Sequence, residues 1–218
     1  MPFNPNQARG ADGKWIKTGG ALGAALVAGV LAAAGGGDVV TSVGAGLDAA
    51  AGRSTGSTNR ATSRQAAKTG DEAKAWERLA LKELKKDVRH RLRCAVQSRG
   101  QVRQFFVKHP CDKLDQFLFA VSDAKGDVVV GSVMWVKMPS SAAATQLKQL
   151  EDTPGTGDVT PFGTEVLQLG GFQFTGEHYR SRLDGSLVVI AETEPVRGHP
   201  SDSLLNDVAT VAVVLPPK

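Results

Sequence analysis

The sequence predicts an α+β fold, with an antiparallel sheet of four to five strands and helices packed mainly on one face of it. Two hairpin signals predict the sheet. Residues 116–122 and 127–137 are strongly apolar and flank a turn-forming loop at 123–126, which contains a glycine. Asp184-Gly185 lies between two further strand-like runs and is the strongest short hairpin signal in the chain. Helical periodicity between and after the hairpins supplies the helices.

N-cap residues and helix breakers place three of these helices. Ser140 or Ser141 is typical of an N-cap and predicts a helix after the first hairpin. Ser201 predicts the N-cap of a last helix, in which apolar residues recur at steps of three and four. A shorter helix is predicted between Gly100, which breaks the preceding chain, and Pro110, which ends the helix.

A longer amphipathic helix is predicted over residues 74–93, where apolar residues again recur at steps of three and four. Thr69 and Glu72 have the spacing of a capping box before it. The face opposite the apolar stripe is basic. Such a face binds anionic lipid or nucleic acid in some proteins and is only solvated in many more. The candidate contacts with an anionic partner are Lys82, Lys85, Lys86, Arg89 and Arg93.

The two cysteines, Cys94 and Cys111, flank the short helix. Export would place them in an oxidising compartment, where an isolated pair in one domain tends to close into a disulfide. The alternative is two buried thiols in a cytoplasmic domain. A metal site is not expected, because the chain has no Cys-x-x-Cys spacing and no histidine at ligand spacing near the pair.

Charge is distributed unevenly along the chain, although the net charge is only +4. Residues 53–113 contain sixteen Lys and Arg against six Asp and Glu, a balance of +10. Residues 114–218 contain seven against thirteen, a balance of −6, and residues 1–52 contain three of each. This polarity predicts a basic segment that faces an anionic partner, docks on its own acidic domain or is solvated.

Composition divides the chain into four parts. Residues 1–17 are polar and rich in Asn, Gly and Pro, and we expect them to be disordered. Residues 18–37 form an uncharged, Ala/Gly-rich hydrophobic segment, a candidate transmembrane or signal segment. Residues 38–68 have the composition of a Gly/Ser/Thr/Ala-rich linker, and residues 69–218 form the α+β domain.

The hydrophobic segment has three interpretations. In the first it is a single-pass membrane anchor. Basic residues precede it and none follows until Arg53, so the positive-inside rule places the C-terminus outside the cell. In the second it is a secretory signal with a small-residue cleavage site at Ala32-Ala33-Ala34, which predicts a secreted protein. In the third it is a low-complexity segment of a cytoplasmic protein.

A set of motifs extends from about residue 70 to about residue 215. They are CAVQSRGQVRQFF with the HPC that follows, GTGDVTP, and FTGEHYRSR, and the opening FNPNQAR also belongs to the set. Together they resemble a family of exported or membrane-anchored actinobacterial proteins, some of them carried on mobile elements. The resemblance implies export or membrane attachment. The family has no assigned activity, so the resemblance assigns no functional residue.

No catalytic signature is present, because the sequence contains no GxSxG, no Walker loop, no HExxH and no dinucleotide fingerprint. If Asp184-Gly185 is a two-residue turn, Glu177 falls opposite Glu192, and two facing carboxylates could serve as an acid/base pair. A slip of one residue in register removes this pairing. We therefore assign no catalytic residue, no metal ligand and no cofactor.

These observations predict a non-enzymatic, membrane-tethered or secreted domain that binds a protein or a cell-envelope component, with residues 18–37 in contact with the membrane. The first alternative is a cytoplasmic or membrane-surface accessory protein that binds nucleic acid through the basic helix at 74–93. Its aromatic interleaving is poor, because Trp76 is alone in that helix. The second alternative is an enzyme whose site carries no known motif.

Overall fold

The computed structural model describes residues 58–162, 167–169 and 172–218. These residues form a five-stranded antiparallel sheet and five helices, which confirms the predicted α+β fold class. The N-terminal segment and the hydrophobic segment at 18–37 lie outside the described residues. Among the residues that are described, no helix is both long enough and apolar enough to cross a membrane.

Helices interrupt the strands along the chain. In chain order the elements are α1 at 58–68, α2 at Glu72–Arg78, β1 at Lys82–Arg89, α3 at Gly100–Lys108, β2 at Lys113–Ser122, β3 at Val128–Lys137, α4 at Ser141–Glu151, β4 at Tyr179–Asp184, β5 at Leu187–Arg197 and α5 at Asp202–Ala212. The strand order is β1-β2-β3-β5-β4, so β1 and β4 are the edges. The two predicted hairpins are β2-β3 and β4-β5.

The central strands determine where the helices pack. In β3 every residue from Val128 to Val136 is buried, and β2 is almost as apolar. A strand that is apolar along its whole length has two faces to cover. Helices α1, α2 and α5 cover one of them, which we call the first face, and α3 and α4 cover the second face. The helices are thus divided between the two faces rather than packed mainly on one.

An aromatic row forms the centre of the first face. Trp76 of α2 stacks on Phe119 of β2 with ring centroids 4.8 Å apart, and Phe117 lies 5.4 Å from Phe119. Phe119 covers Gly131 of β3, where a Cβ atom would lie 2.1 Å from the ring. Only glycine leaves room for this packing, so the glycine in an otherwise apolar strand is explained by the phenylalanine on its neighbour.

The second face is covered by the short helix and by α4. Val102 and Phe106 of α3 are buried, as are Ala144 and Leu147 of α4. They pack against Leu114, Met134, Val136, Val188 and Ile190 of the sheet. The short helix predicted between Gly100 and Pro110 is confirmed.

The predicted helix over 74–93 is wrong beyond Arg78, where α2 ends. Ala80 has a φ of +57°, a left-handed conformation that breaks a helix, and the chain then forms edge strand β1. Residues four apart share a face in a strand as well as in a helix. Their spacing alone therefore did not distinguish a strand from a helix over this part of the chain. In β1, Val88 packs against the core whereas Leu84 is 42% exposed.

Cap geometry agrees with the sequence at two helices and differs at a third. Ser140 accepts a hydrogen bond from the Ala143 N–H at 3.1 Å, and Ser201 accepts one from the Leu204 N–H at 3.2 Å. The cap of α2 is Asp71, not Thr69, because the Asp71 carboxylate accepts from the Lys74 N–H at 3.1 Å. The hydroxyl of Thr69 instead donates back to a carbonyl of α1.

The end of the predicted linker is helical, because residues 58–68 form α1. Its buried positions are the small residues Ser63 and Ala67, and the Ser63 hydroxyl donates to the Ala75 carbonyl oxygen at 2.6 Å. Small residues give little hydropathy contrast, which is why the sequence of this helix resembles a linker. The folded part of the chain therefore begins before residue 69.

We expect Trp135→Ala to lower the free energy of unfolding by about 3–5 kcal/mol, because the cavity left in the core cannot close fully. Trp135 is 2% exposed, lies 6.4 Å from Phe117, and donates from Nε1 to the Leu215 carbonyl oxygen at 3.0 Å. Urea unfolding followed by circular dichroism measures the loss. The control Leu84→Ala removes an exposed side chain and should change stability by less than about 0.5 kcal/mol. Equal effects of the two variants would contradict the assigned burial.

Candidate functional site

Cys94 and Cys111 lie at disulfide-bonding distance, with their Cα atoms 6.3 Å apart. Bridged cysteines usually have Cα separations of about 4.4–6.8 Å. The sequence predicted that Cys94 follows directly on a helix over residues 74–93. In the structure Cys94 lies instead in the loop between β1 and α3. Cys111 follows shortly after the end of α3, so the pair ties the C-terminal end of that helix to the loop before it.

A cavity of about 880 Å³ opens beside the two cysteines. Its lining includes three basic residues, Arg91, Arg93 and Lys113, and one acidic residue, Asp112, so its formal charge is 3 − 1 = +2. Phe106 of α3 contributes apolar surface to the same cavity. Apolar surface with a few charged groups around it is typical of a binding pocket, and the positive sign favours an anionic ligand.

A buried carboxylate holds the chain in place at this cavity. Asp115 of β2 is 1% exposed and accepts a hydrogen bond from the Arg91 N–H at 3.0 Å. The same carboxylate pairs with the Lys113 ammonium group at 2.5 Å. Because Lys113 is already paired, Arg91 and Arg93 are the lining cations for which the described residues provide no ion-pair partner.

The candidates from the predicted basic helix do not form one surface. In the pairing of β1 with β2, Lys86 lies opposite Phe119 and therefore on the first face. There its ammonium group pairs with Glu83 at 3.0 Å. Lys82 and Lys85 lie opposite Ser122 and Ala120 and therefore on the second face.

The remaining two candidates, Arg89 and Arg93, are also separated from one another. Arg89 lies on the second face, where its guanidinium group is 5.4 Å from the Phe162 ring centroid and 3.2 Å from an Asp87 oxygen. Lys85, on the same face, donates to the Leu167 carbonyl oxygen at 2.8 Å. Of the five candidates only Arg93 reaches the cavity beside the cysteines.

A second cavity, of about 280 Å³, is lined by acidic groups and shares no residue with the first. It is formed by the end of α4 and the loop that follows it, by the N-cap residue of α3, and by the paired strands β4 and β5. Its charged lining residues are Glu151, Glu192, Asp158 and Arg99, and Tyr179 contributes a phenol ring. We call it the acidic cavity.

Gly100 and Gly157 allow the loop after α4 to lie against the start of α3. A Cβ atom on Gly157, whose φ is +99°, would lie 2.2 Å from the Arg99 carbonyl oxygen. No side chain caps α3; instead the Gln101 N–H donates to the Thr156 carbonyl oxygen at 2.5 Å. The loop thus serves as the N-cap of α3, and this contact fixes one wall of the acidic cavity.

Glu151 is the last residue of α4 and is only 6% exposed. Its Oε1 accepts a hydrogen bond from the Val159 N–H at 3.1 Å, whereas its buried Oε2 has no hydrogen-bond partner in the described part of the chain. Burial, together with the negative charges of Asp158 and Glu192, raises the pKa of Glu151 well above its usual value. Glu151 is therefore held in its neutral form into a higher pH range than an exposed glutamate.

Glu192 reaches the acidic cavity from β5. The register of the β4-β5 hairpin places Tyr179 opposite Glu192, not Glu177, so the predicted Glu177–Glu192 pair is wrong. The two loop residues are Gly185 and Ser186, one position later than the sequence indicated. The shift exchanges one carboxylate for a phenol ring at this position.

Tyr179 and Arg99 complete the polar lining. The Tyr179 hydroxyl donates to Asp152 at 2.9 Å, and burial, with the carboxyls of Glu151 and Asp152, raises the pKa of Tyr179 well above 10.0. Arg99 is largely exposed and pairs with Asp158 at 2.6 Å. This ion pair lies among the lining groups, whereas Glu151 lies in the buried part of the wall.

Neither Glu151 nor Asp158 was predicted from the sequence as a site residue. Residues 99, 151 and 192 belong to different elements, so no local motif connects them. In the described residues, no three or more His, Cys, Asp or Glu side chains are grouped closely enough to hold a metal ion.

A scan against protein-family models, a search of the curated proteins and a search of the solved structures each found no match to this chain.

We expect Glu151→Gln to change the dependence of stability on pH. Above about pH 4.5 the unfolded chain releases a proton that the folded protein still holds at Glu151. Below that pH both states hold the proton, and the contribution of this group to the free energy of unfolding is at its maximum. As the pH rises through the raised pKa of the folded state, this contribution is lost, and the free energy of unfolding falls by at most about 1.4 kcal/mol per pH unit. The variant should lack this slope in urea unfolding measured over a series of pH values.

The control for this experiment is Glu77→Gln, which changes an exposed carboxyl on α2. It should unfold with the same pH profile as the unmodified protein. Parallel profiles for Glu151→Gln and the unmodified protein would show that the folded state does not hold the proton.

Proposed function

We propose that this protein is a non-enzymatic, membrane-tethered or secreted α+β domain that binds an anionic group of a protein or cell-envelope partner beside Cys94 and Cys111. The observation that carries the proposal is the cysteine pair itself. The only two cysteines of the chain lie at bonding distance next to a cavity with a formal charge of +2. Disulfides persist outside the reducing cytoplasm, so such a pair supports export.

The uncharged segment at 18–37 supports a membrane tether. Basic residues precede it and none follows until Arg53, which is the arrangement of an anchor with its C-terminal domain outside. A cleaved signal leads to the same compartment. The resemblance to exported actinobacterial proteins supports the same localisation.

The cavity beside the cysteines supports an anionic partner. Arg91 and Arg93 offer two guanidinium groups, which bind carboxylates and phosphates in bidentate geometry. The Cys94–Cys111 connection and the Asp115 contact hold the two sides of the cavity, so little ordering is required when a partner binds.

The nucleic-acid alternative loses the surface on which it depended. Its basic helix is an edge strand, and Lys86, Arg89 and Lys85 each contact a group of the protein itself. Phosphate recognition along a nucleic acid requires several cations on one continuous surface. The observed distribution favours the smaller site at Arg91 and Arg93.

We expect protein isolated from cells under alkylating conditions to contain no free thiol. Cys94→Ser and Cys111→Ser should each lower the free energy of unfolding by about 2–4 kcal/mol, because each frees a loop that the bridge closes in the unfolded chain. The double variant should be no less stable than either single variant. Mass spectrometry after alkylation counts the thiols, and two alkylated cysteines would refute both the bridge and the proposed compartment.

We also expect the double variant Arg91→Gln/Arg93→Gln to weaken the binding of anionic probes by roughly ten- to a hundredfold, since it removes charge-assisted hydrogen bonds. Inorganic phosphate and a tetraglutamate peptide are suitable probes. NMR titration of the full-length protein should shift the amide signals between residues 91 and 94.

The matched control is Arg78→Gln/Lys125→Gln, which removes the same charge from α2 and from the β2-β3 loop. It should leave the affinity unchanged. Equal weakening by both double variants would mean that the probes respond to the net charge of the domain and not to this cavity.

A further inference from the structure

We propose that the cavity beside the cysteines binds an extended acidic segment of a partner protein, in which one apolar residue lies between two carboxylates. The carboxylates would pair with Arg91 and Arg93, and the apolar side chain would contact Phe106 and Pro110. This inference rests on the proposed function, because it specifies the partner that the same cavity would bind.

The cavity is much larger than one anionic group. Its volume is about 880 Å³, and pockets of roughly 300–1,000 Å³ hold ligands of drug size. A single phosphate or carboxylate would leave most of this space to water. A ligand that fills the cavity therefore carries further groups next to the anionic ones.

Two segments of the chain form the walls of the cavity, and they differ in character. The first wall is residues 91–95, in the loop between β1 and α3, and it contains both arginines of the lining. The second wall is Phe106 of α3 together with residues 110–113, and it contributes the rings of the phenylalanine and the proline. Cys94 and Cys111 join the two walls.

Charge assigns the acidic side of the ligand to the first wall. Arg91 and Arg93 are both exposed, and the described residues provide no ion-pair partner for either of them. On the second wall Lys113 pairs with the buried Asp115, and Asp112 adds an exposed negative charge. Carboxylates of a ligand are therefore attracted to the first wall and repelled from the second.

An extended peptide presents its side chains in the alternation that these walls require. Successive side chains of an extended chain point to opposite sides, and residues two apart lie on the same side at a spacing of roughly 6.5 Å. Arg91 and Arg93 are also two residues apart. Acidic residues at positions i and i+2 can thus each reach one guanidinium group, while the residue between them points to the second wall.

Exposed apolar side chains extend the apolar surface beyond the cavity. Four large apolar side chains are exposed in the described part of the chain. Two of them, Val96 at 59% and Val107 at 67%, directly follow the lining residues Ala95 and Phe106. Apolar surface that is continuous with a groove and rimmed by polar groups marks a site of protein or ligand binding.

A protein segment fits these features better than an anionic membrane does. Binding to a lipid surface requires several cations that act together near one plane. Lys85, Lys86 and Arg89 of β1 are each engaged within the protein instead, and Asp112 in the second wall would face the lipid headgroups. A concave site with two free arginines favours a narrow ligand.

Isothermal titration of the full-length protein with four acetylated and amidated peptides tests this inference. GELEG contains the proposed spacing, GLEEG has the same composition in a different order, GEGEG lacks the apolar residue, and GQLQG lacks the charges. GELEG should bind most tightly. Each of the other three should bind roughly tenfold or more weakly, because the burial of leucine or at least one ion pair is lost.

The four peptides separate failure of this inference from failure of the proposed function. Equal affinity of GEGEG or GLEEG and GELEG would overturn the inference and leave anion binding intact. Equal affinity of GQLQG and GELEG would overturn both. Binding of inorganic phosphate or of phosphatidylglycerol vesicles, without binding of GELEG, would overturn the inference alone.

Asp112→Asn tests the assignment of the two walls, because it removes the exposed negative charge of the second wall. It should strengthen the binding of GLEEG, which directs one acid to that wall, by roughly threefold or more relative to GELEG. The matched control Glu77→Gln removes an exposed charge from α2 and should change both affinities equally. The same relative effect of both variants would contradict the assignment.

NMR titration gives a second readout that does not depend on a variant. GELEG should shift the amide signals of both walls, at residues 91–95 and 111–113, whereas inorganic phosphate should shift mainly those of the first wall. Shifts by GELEG that are confined to the first wall would overturn the proposed contact with Phe106 and Pro110.

Discussion

The structure depends on a central pair of strands, β2 and β3, that is apolar on both faces. Burial of nearly every residue from Leu114 to Val136 in these strands requires two protein layers over one sheet, and the helices are divided accordingly. On the first face the cover is dominated by aromatic packing. Phe119 lies over Gly131 and stacks on Trp76, so a strand, its neighbour and a helix are fixed by one set of contacts.

Both faces of the sheet contain buried polar groups, and most of their hydrogen bonds have a structural role. Gln116 accepts from the Phe162 N–H at 2.7 Å, Glu194 accepts from the Thr175 N–H at 2.7 Å, and Asp115 accepts from the Arg91 N–H at 3.0 Å. Each of these side chains fixes a loop by satisfying a backbone donor. Glu151 does so with only one oxygen. The other oxygen, in a cavity wall, distinguishes Glu151 from the structural carboxylates.

Local signals in the sequence were sufficient for the hairpins, for α3 and for the Ser140 and Ser201 caps, because turns and caps depend on residues within a few positions of one another. They were not sufficient for β1, where steps of four fit both a helix and a strand and only pairing with β2 decides. The register of the β4-β5 hairpin also required the structure. The acidic cavity required it most, since its groups come from α3, α4 and β5.

The charge asymmetry of the chain is reproduced in its two cavities. Arg91 and Arg93 belong to the basic part of the sequence, whereas Glu151 and Glu192 belong to the acidic part. Helix α3 connects the two cavities. Its N-terminal end is held by the carbonyl oxygen of Thr156, whose neighbours Gly155 and Gly157 line the acidic cavity, and its C-terminal end is held through Cys111 beside the basic one. Because each end has its own anchor, reduction of a Cys94–Cys111 bridge would release the basic cavity while the Thr156 contact still holds the acidic one.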